Sequence, residues 1–255
     1  MPQFTQVPHS LSEDARAAGA MGNGLLAALR PAEQTLLVRH CSECVLDAGT
    51  VICQPGDEVE YCTLPTGPAL CCFSVALDDG AAVETMLVGR EGAVGGFASQ
   101  GPVPAYARVE VLHGGVFRRI PLGKLEAAKR ASPVIANLFA RYADCMMAQV
   151  FQSIACNATH TIEQRAAKWL GAAVCRIGDS HVTMTQEQLA TMMGIGRSYA
   201  SRVLQRFKHE GLLRTRRGGI EVLDRNGLKN RACSCNDRVS AHFERLLGGI
   251  YPARA

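Results

Sequence analysis

The sequence predicts an α+β chain: an N-terminal antiparallel β jelly-roll, one long helix, and a C-terminal helix-turn-helix followed by a two-stranded wing. Three observations predict it. Short apolar runs separated by turn signals recur between Cys41 and Ile120. From Ser132 the apolar residues recur at helical spacing instead. In the last third, two capped helices with a glycine between them precede a short hairpin. Period-2 runs bounded by Gly and Pro read as strands, and a 3.6-residue period reads as an amphipathic helix.

Residues 1–24 are polar with scattered Pro, Gly and Ser, and are expected to form a loose arm. "GLLAALRPAEQTLLVRH" then places Leu25, Leu26, Leu29, Leu36 and Leu37 at helical spacing around Pro31. Proline can open a helix but not sit inside one, so two small helices are expected. The runs "TVICQ", "EYCTL", "ALCCFSVAL", "AVETMLV", "ARVEVL" and "GVFRRI" supply the strands of the jelly-roll, assigned to residues 25–130. "SPVIANLFARYADCMMAQVFQSIACNA" follows, with Ser132 as cap and Pro133 at the first helical position. Val134, Leu138, Tyr142, Cys145 and Gln149 share one face, and Ile135, Phe139, Met146 and Val150 the next. So broad a stripe on a helix over 131–158 predicts the barrel on one side and a second copy of the helix on the other.

The chain has 255 residues, 47% hydrophobic and 20% charged, which is ordinary for a globular protein of two domains. It contains no apolar run long enough to span a bilayer and does not start like a secretory signal, so a cytoplasmic protein is expected. The net charge of +4 is unevenly placed: residues 160–231 hold 13 Lys and Arg against 6 Asp and Glu. A basic C-terminal third on a near-neutral body points to a polyanion partner for that third.

That third, residues 159–235, carries the most specific pattern. Thr161 with Gln164, and Thr185 with Gln188, have capping-box spacing. Gly194 permits a tight turn into a helix from about Arg197 to His209, with Ala200, Val203, Leu204 and Phe207 facing inward. Arg197, Ser198, Tyr199, Ser201, Arg202 and Arg206 remain for the outer surface. "LLRTRRGGIEVLD" reads as the wing, turning at Gly218 and Gly219. Planar donors near the start of such a helix suit guanine edges; basic groups further along suit phosphates. Arg197 and Arg202 are therefore expected at bases, and Arg206, Arg216 and Arg217 at the backbone of double-stranded DNA. A 236–255 tail completes the division.

A barrel, a long helix and "TQEQLATMMGIGRSYASRVLQRFKHEGLL" resemble the Crp/Fnr family of bacterial transcription regulators, over about residues 25–225. "QPGDEVEYCTLPTG" is similar to that family's early barrel turn. The resemblance implies a cyclic-nucleotide-binding-like barrel and a homodimer on an inverted repeat, with RNA polymerase as a further partner. It implies base contacts from Arg197, Ser201 and Arg202, and phosphate contact from Thr185 and Gln186. Ser198 stands where many members have glutamate, which leaves the half-site open.

The family's barrel commonly binds cyclic AMP through a Gly-Glu pair and a following arginine. Here those positions fall on Gly95-Gly96 and Tyr106, with Arg108 two residues later, so a degenerate effector pocket is expected. The 11 cysteines offer a rival sensor. Cys41-x-x-Cys44, with Cys53 beyond, has ligand spacing for zinc or an iron–sulfur cluster, and haem is a further alternative. Buried core thiols are the simpler expectation, so no cofactor is expected. Cys156 and Cys233-x-Cys235 look isolated, and the 7 histidines show no ligand spacing. No nucleophile, base and orienter recur at usable spacing, so an enzyme is not expected. A signalling scaffold without DNA remains a remote alternative.

Overall fold

The structure, a computed structural model, describes residues 22–78, 82–101 and 103–251. The expected arm lies outside the described residues up to position 21. Its end, however, is built into the fold. Asn23 is fully buried; its Oδ1 accepts from the Leu25 and Leu26 amides, and its Nδ2 donates to the Pro65 and Gly92 carbonyls at 2.9 Å. It thereby caps the short helix α1 (Gly24–Ala27) and ties it to the barrel. Helix α2 (Pro31–Val38) starts on Pro31, as the sequence predicts.

Seven strands follow: β1 (Ser42–Leu46), β2 (Val51–Cys53), β3 (Tyr61–Pro65), β4 (Leu70–Ala76), β5 (Ala82–Val88), β6 (Arg108–His113) and β7 (Gly115–Pro121). They form two antiparallel sheets, ordered β1-β7-β3 and β2-β6-β4-β5. Each predicted run became a strand; β1 was not foreseen as a separate one. Cys62, Leu64, Cys71, Val88, Val109, Val111, Phe117 and Ile120 close the core between the sheets. Adjacent Cys71 and Cys72 point to opposite faces, as a strand requires: Cys71 enters this core and Cys72 packs on the C-terminal core.

Helix α3 (Leu122–Ala131), which the sequence reading did not separate, runs into α4 (Pro133–Thr159). Ser132 occupies the N-cap position, yet its side chain makes no capping bond; Pro133 alone pre-organises the first turn. Most of the two predicted apolar faces of α4 turn inward together, with Ile135, Phe139, Tyr142, Cys145, Met146 and Gln149 buried and Val134 left exposed. The outward apolar stripe is a different set. Met147, Phe151 and Ile154, at i, i+4 and i+7, are 53%, 62% and 63% exposed.

The C-terminal unit comprises α5 (Ile162–Ile177), β8 (His181–Thr183), α6 (Gln186–Met193), α7 (Arg197–His209), β9 (Leu213–Arg216), β10 (Gly219–Val222) and α8 (Arg225–Arg231), its strands ordered β8-β10-β9. Where a tail was expected, α9 (Cys235–Leu246) returns to the N-terminal body. Val239, Phe243, Leu247 and Ile250 join the core of the barrel and α4, which explains the ordering: their apolar spacing gives a long stripe to bury.

Candidate nucleic-acid interface

Both capping boxes form. The Thr161 side chain accepts from the Gln164 amide, and Thr185 Oγ1 accepts from the Gln188 amide at 3.1 Å while Gln188 Oε1 accepts from the Thr185 amide at 2.8 Å. Gly194 then ends α6 at φ 64°, a left-handed conformation that an L side chain adopts only under strain. The chain then enters α7, whose Ala200 is buried and whose Val203, Leu204 and Phe207 share one core with Leu189, Met193 and Leu213.

The opposite face of α7 is exposed. Arg197, Ser198, Tyr199 and Arg202 all reach solvent, and Ser201 is half-buried beside them. Arg202 stacks over the Tyr199 ring, 5.1 Å from its centroid, which holds the guanidinium in a defined plane. Thr185 is exposed and Gln186 half-buried at the start of α6. The wing turns at Arg217-Gly218, with Gly219 already paired to Arg216 in the ladder. Gly219 also has to be small, because a Cβ there would overlap the His181 ring.

The basic groups differ in their engagement. Arg197 and Arg217 have no ion-pair partner among the described residues. Arg206 pairs with Glu163 of α5, and Arg216 with Glu221. Arg214, which the sequence reading passed over, donates to both Glu221 oxygens at 2.8 and 2.9 Å. The hydrogen bonds from Arg214 and then Arg216 hold the Glu221 carboxyl down at about 2.

The loop between β5 and β6 holds the other predicted site. Gly95 and Gly96 both have positive φ, and a Cβ added at Gly96 would overlap the Leu122 side chain. Leucine thus fills the space a side chain at 96 would need. Tyr106 is 84% exposed, and Arg108 is bound within its own strand to Glu110 at 2.6 Å. The loop is fastened to the helices. Phe97 lies 4.9 Å from the Tyr142 ring, Lys129 Nζ donates to the Phe97 carbonyl at 2.8 Å, and the Gly101 amide donates to Glu126. Tyr142 Oη in turn donates to the Ala93 carbonyl and accepts from its amide, both at 3.0 Å.

A buried polar link, not foreseen, joins the barrel to the C-terminal unit. Arg176 of α5 donates to Glu91 at 2.7 Å and to Tyr251 Oη at 2.8 Å, with both charged side chains only 3% exposed. Burial disfavours the Arg176 charge, but the adjoining Glu91 carboxylate outweighs it and raises the pKa. Nothing in the spacing of the two residues, 85 apart in sequence, announces the pair.

The predicted metal candidates are not brought together. Cys44 faces the barrel core, Cys53 lies on β2 beside the Ala107 carbonyl, and Cys41 sits against the Leu37 carbonyl at the end of α2. Burial pushes the Cys41 thiol up to about 11. The cysteines that do converge are Cys156, Cys233 and Cys235, with His160; the sequence reading set these aside as isolated. The i, i+4 spacing of Cys156 and His160 on one helix was the available signal.

Comparison with known proteins agrees with this architecture. Residues 164–231 match the family described as the Crp-like helix-turn-helix domain. FixK2 from Bradyrhizobium japonicum is similar at 17% identity and TM-score 0.64, covering 76% of this chain and 98% of that one. TTHB099, a CRP-family transcriptional regulator from Thermus thermophilus, is similar at 21% identity and TM-score 0.62, covering 74% and 95%. The c-di-GMP-responsive regulator CLP from Xanthomonas campestris gives 14% identity and TM-score 0.62, covering 76% and 100%. No curated protein sequence matches the chain. A jelly-roll barrel, a long helix and a winged helix thus define the class of architecture, a barrel joined to a helix-turn-helix domain. Within it, the chain has the Crp/Fnr regulator fold, with a Crp-like helix-turn-helix domain at 164–231.

Proposed function

We propose that the chain is a homodimeric, sequence-specific regulator that reads an inverted repeat in double-stranded DNA. The observation that carries this reading is the exposed face of α7, where Arg197 and a Tyr199-stacked Arg202 reach solvent directly after the Gly194 turn. In the proposal Arg197, Ser201 and Arg202 read base edges, with Ser198 and Tyr199 beside them. Thr185, Gln186, Arg206, Arg216 and Arg217 hold phosphates. Arg206 and Arg216 reach DNA by exchanging Glu163 and Glu221 for phosphate oxygens, so their contacts begin from existing ion pairs.

Dimerisation through α4 is supported by the exposed Met147, Phe151 and Ile154 stripe. Two copies joined there would place recognition helices about 34 Å apart, one DNA turn. Contact with RNA polymerase and a cytoplasmic location belong to the same reading; no helix among the described residues is long and apolar enough to cross a membrane.

Cyclic AMP does not fit the relatives' cassette here. The ribose-binding carboxylate has no counterpart, Leu122 fills the space at Gly96, and Arg108 is committed to Glu110. A buried phosphate without a charge-assisted partner is poorly held. Gel-shift selection from genomic fragments, followed by titration of the selected site with wild type and Arg197→Ala, tests the reading. The variant is expected to lose about 1–3 kcal/mol on the selected site and far less on random DNA. Equal losses on both would reduce Arg197 to a phosphate contact, and no selected fragment at all would overturn DNA recognition.

A further inference from the structure

Cys156 and His160 lie one turn apart at the C-terminal end of α4, while Cys233 and Cys235 flank the start of α9. Their four donor atoms, three Sγ and one imidazole nitrogen, all lie within 4.8 Å of one another. Cys156 Sγ is 3.6 Å from Cys233 Sγ, and Cys235 Sγ is 3.6 Å from His160 Nδ1. With Zn–S near 2.3 Å and Zn–N near 2.0–2.1 Å, the edges of a tetrahedron are about 3.8 Å between sulfurs and about 3.5 Å from sulfur to nitrogen. Two edges therefore already have the length that one ion requires. A disulfide needs about 2.05 Å between sulfurs, so the pair is not bonded.

We propose that Cys156, His160, Cys233 and Cys235 bind a single zinc ion in a tetrahedral Cys3His site. The donor set is soft and borderline, which selects zinc over the oxygen-seeking cations. Four donors this close surround one ion; a multi-iron cluster would need them further apart. The contacts of Cys235 favour a thiolate there, against the burial that raises the Cys156 thiol. Cys235 is the first residue of a 12-residue helix, where unpaired amides favour negative charge. Gln152, one turn before Cys156 on the same face of α4, donates from Nε2 to Cys235 Sγ at 3.2 Å. That is the outer-shell contact metal-bound thiolates receive. The three thiols are buried, His160 is half-buried at the rim, and together the cysteines form a small cluster apart from both main cores. On binding, the thiol protons leave to solvent as zinc takes their place.

The site's place in the fold gives it a role. Residues 161–231, the helix-turn-helix unit, lie between its two halves, so the ion would fasten the exit of that unit to its entry. This inference is independent of DNA recognition: a chain that binds zinc and no DNA would leave it standing.

The test is the metal content of the full chain purified under reducing conditions, together with its cobalt(II) spectrum. One zinc per chain is expected in wild type and in Cys41→Ser/Cys44→Ser, and none in Cys156→Ser/Cys233→Ser. Cobalt(II) added to zinc-stripped wild type should give thiolate-to-metal charge-transfer bands and the intense visible bands of a tetrahedral ion. His160→Asn, at the half-exposed ligand, and Gln152→Ala keep the cysteines intact. In competition with a chelator, Gln152→Ala should weaken zinc binding roughly ten- to a hundredfold, and His160→Asn at least as much. Zinc that survives Cys156→Ser/Cys233→Ser would overturn the proposal. So would a zinc-free wild type that shows no thiolate bands with cobalt, including one whose Cys156 and Cys233 have paired as a disulfide.

Discussion

Glu91 and Arg176 meet in a place that water does not reach, and each makes the other's charge tolerable. Removing one partner strands the other. Glu91→Ala is therefore expected to cost about 3–5 kcal/mol in chemical denaturation. Replacing both residues with apolar ones of similar volume should recover much of that loss, and equal cost for the single and double variants would show that packing, not charge, sets the effect. Gly96 carries a second residue-level lesson. A Gly96→Glu variant, which restores the relatives' carboxylate in sequence, should not gain cyclic AMP binding by calorimetry, because Leu122 occupies the space. A measurable gain would mean that α3 yields readily.

At the scale of elements, α4 divides its surface between a buried face and a bare one. Met147, Phe151 and Ile154 stand more than half exposed on a helix whose opposite face is packed. If α4 pairs with a second copy as proposed, Phe151→Glu is expected to lower the sedimenting mass to that of a monomer while the far-ultraviolet spectrum stays folded. An unchanged mass would move the interface elsewhere. The helix itself was legible in the sequence, since its period is long and unbroken. Which apolar residues face outward was not, because three adjacent stripes share one helix and only the packed neighbours decide among them. The helix-turn-helix was legible almost residue by residue, since caps and the Gly194 turn are local chemistry. The same holds for the strands around Cys62 and Cys71. Contacts between segments far apart in the chain left no such signature: Glu91 with Arg176, Leu122 over Gly96, and the four donors around Cys156 all arise from tertiary placement. The tail became α9 for the same reason, its stripe of Val239, Phe243 and Leu247 having meaning only against α4.

At the scale of the whole molecule, the barrel and the winged helix share an interface that contains an acid. Glu84 of β5 is buried against Trp169, and burial raises its pKa from the ordinary 4.5 to about 8, although Trp169, Lys168 and Arg176 act in the opposite direction. A carboxyl that is easier to protonate when folded favours the fold below pH 4.5 and loses that contribution as the pH climbs to about 8. The melting temperature of Glu84→Gln should consequently vary less than that of wild type across this range; parallel curves would show that Glu84 titrates as if exposed. The path of the chain has a consequence of another kind. It leaves the body at the end of α4, makes the helix-turn-helix unit, and comes back beside its point of departure to lay α9 on α4. A segment whose two ends meet is a cassette in the genetic sense. Another unit of different length can take its place where it keeps an arginine for Glu91 and an apolar face for Leu70, Leu87 and Leu112 of the barrel. Such a layout lets the helix-turn-helix unit and its carrier change at different rates outside the contacts they share.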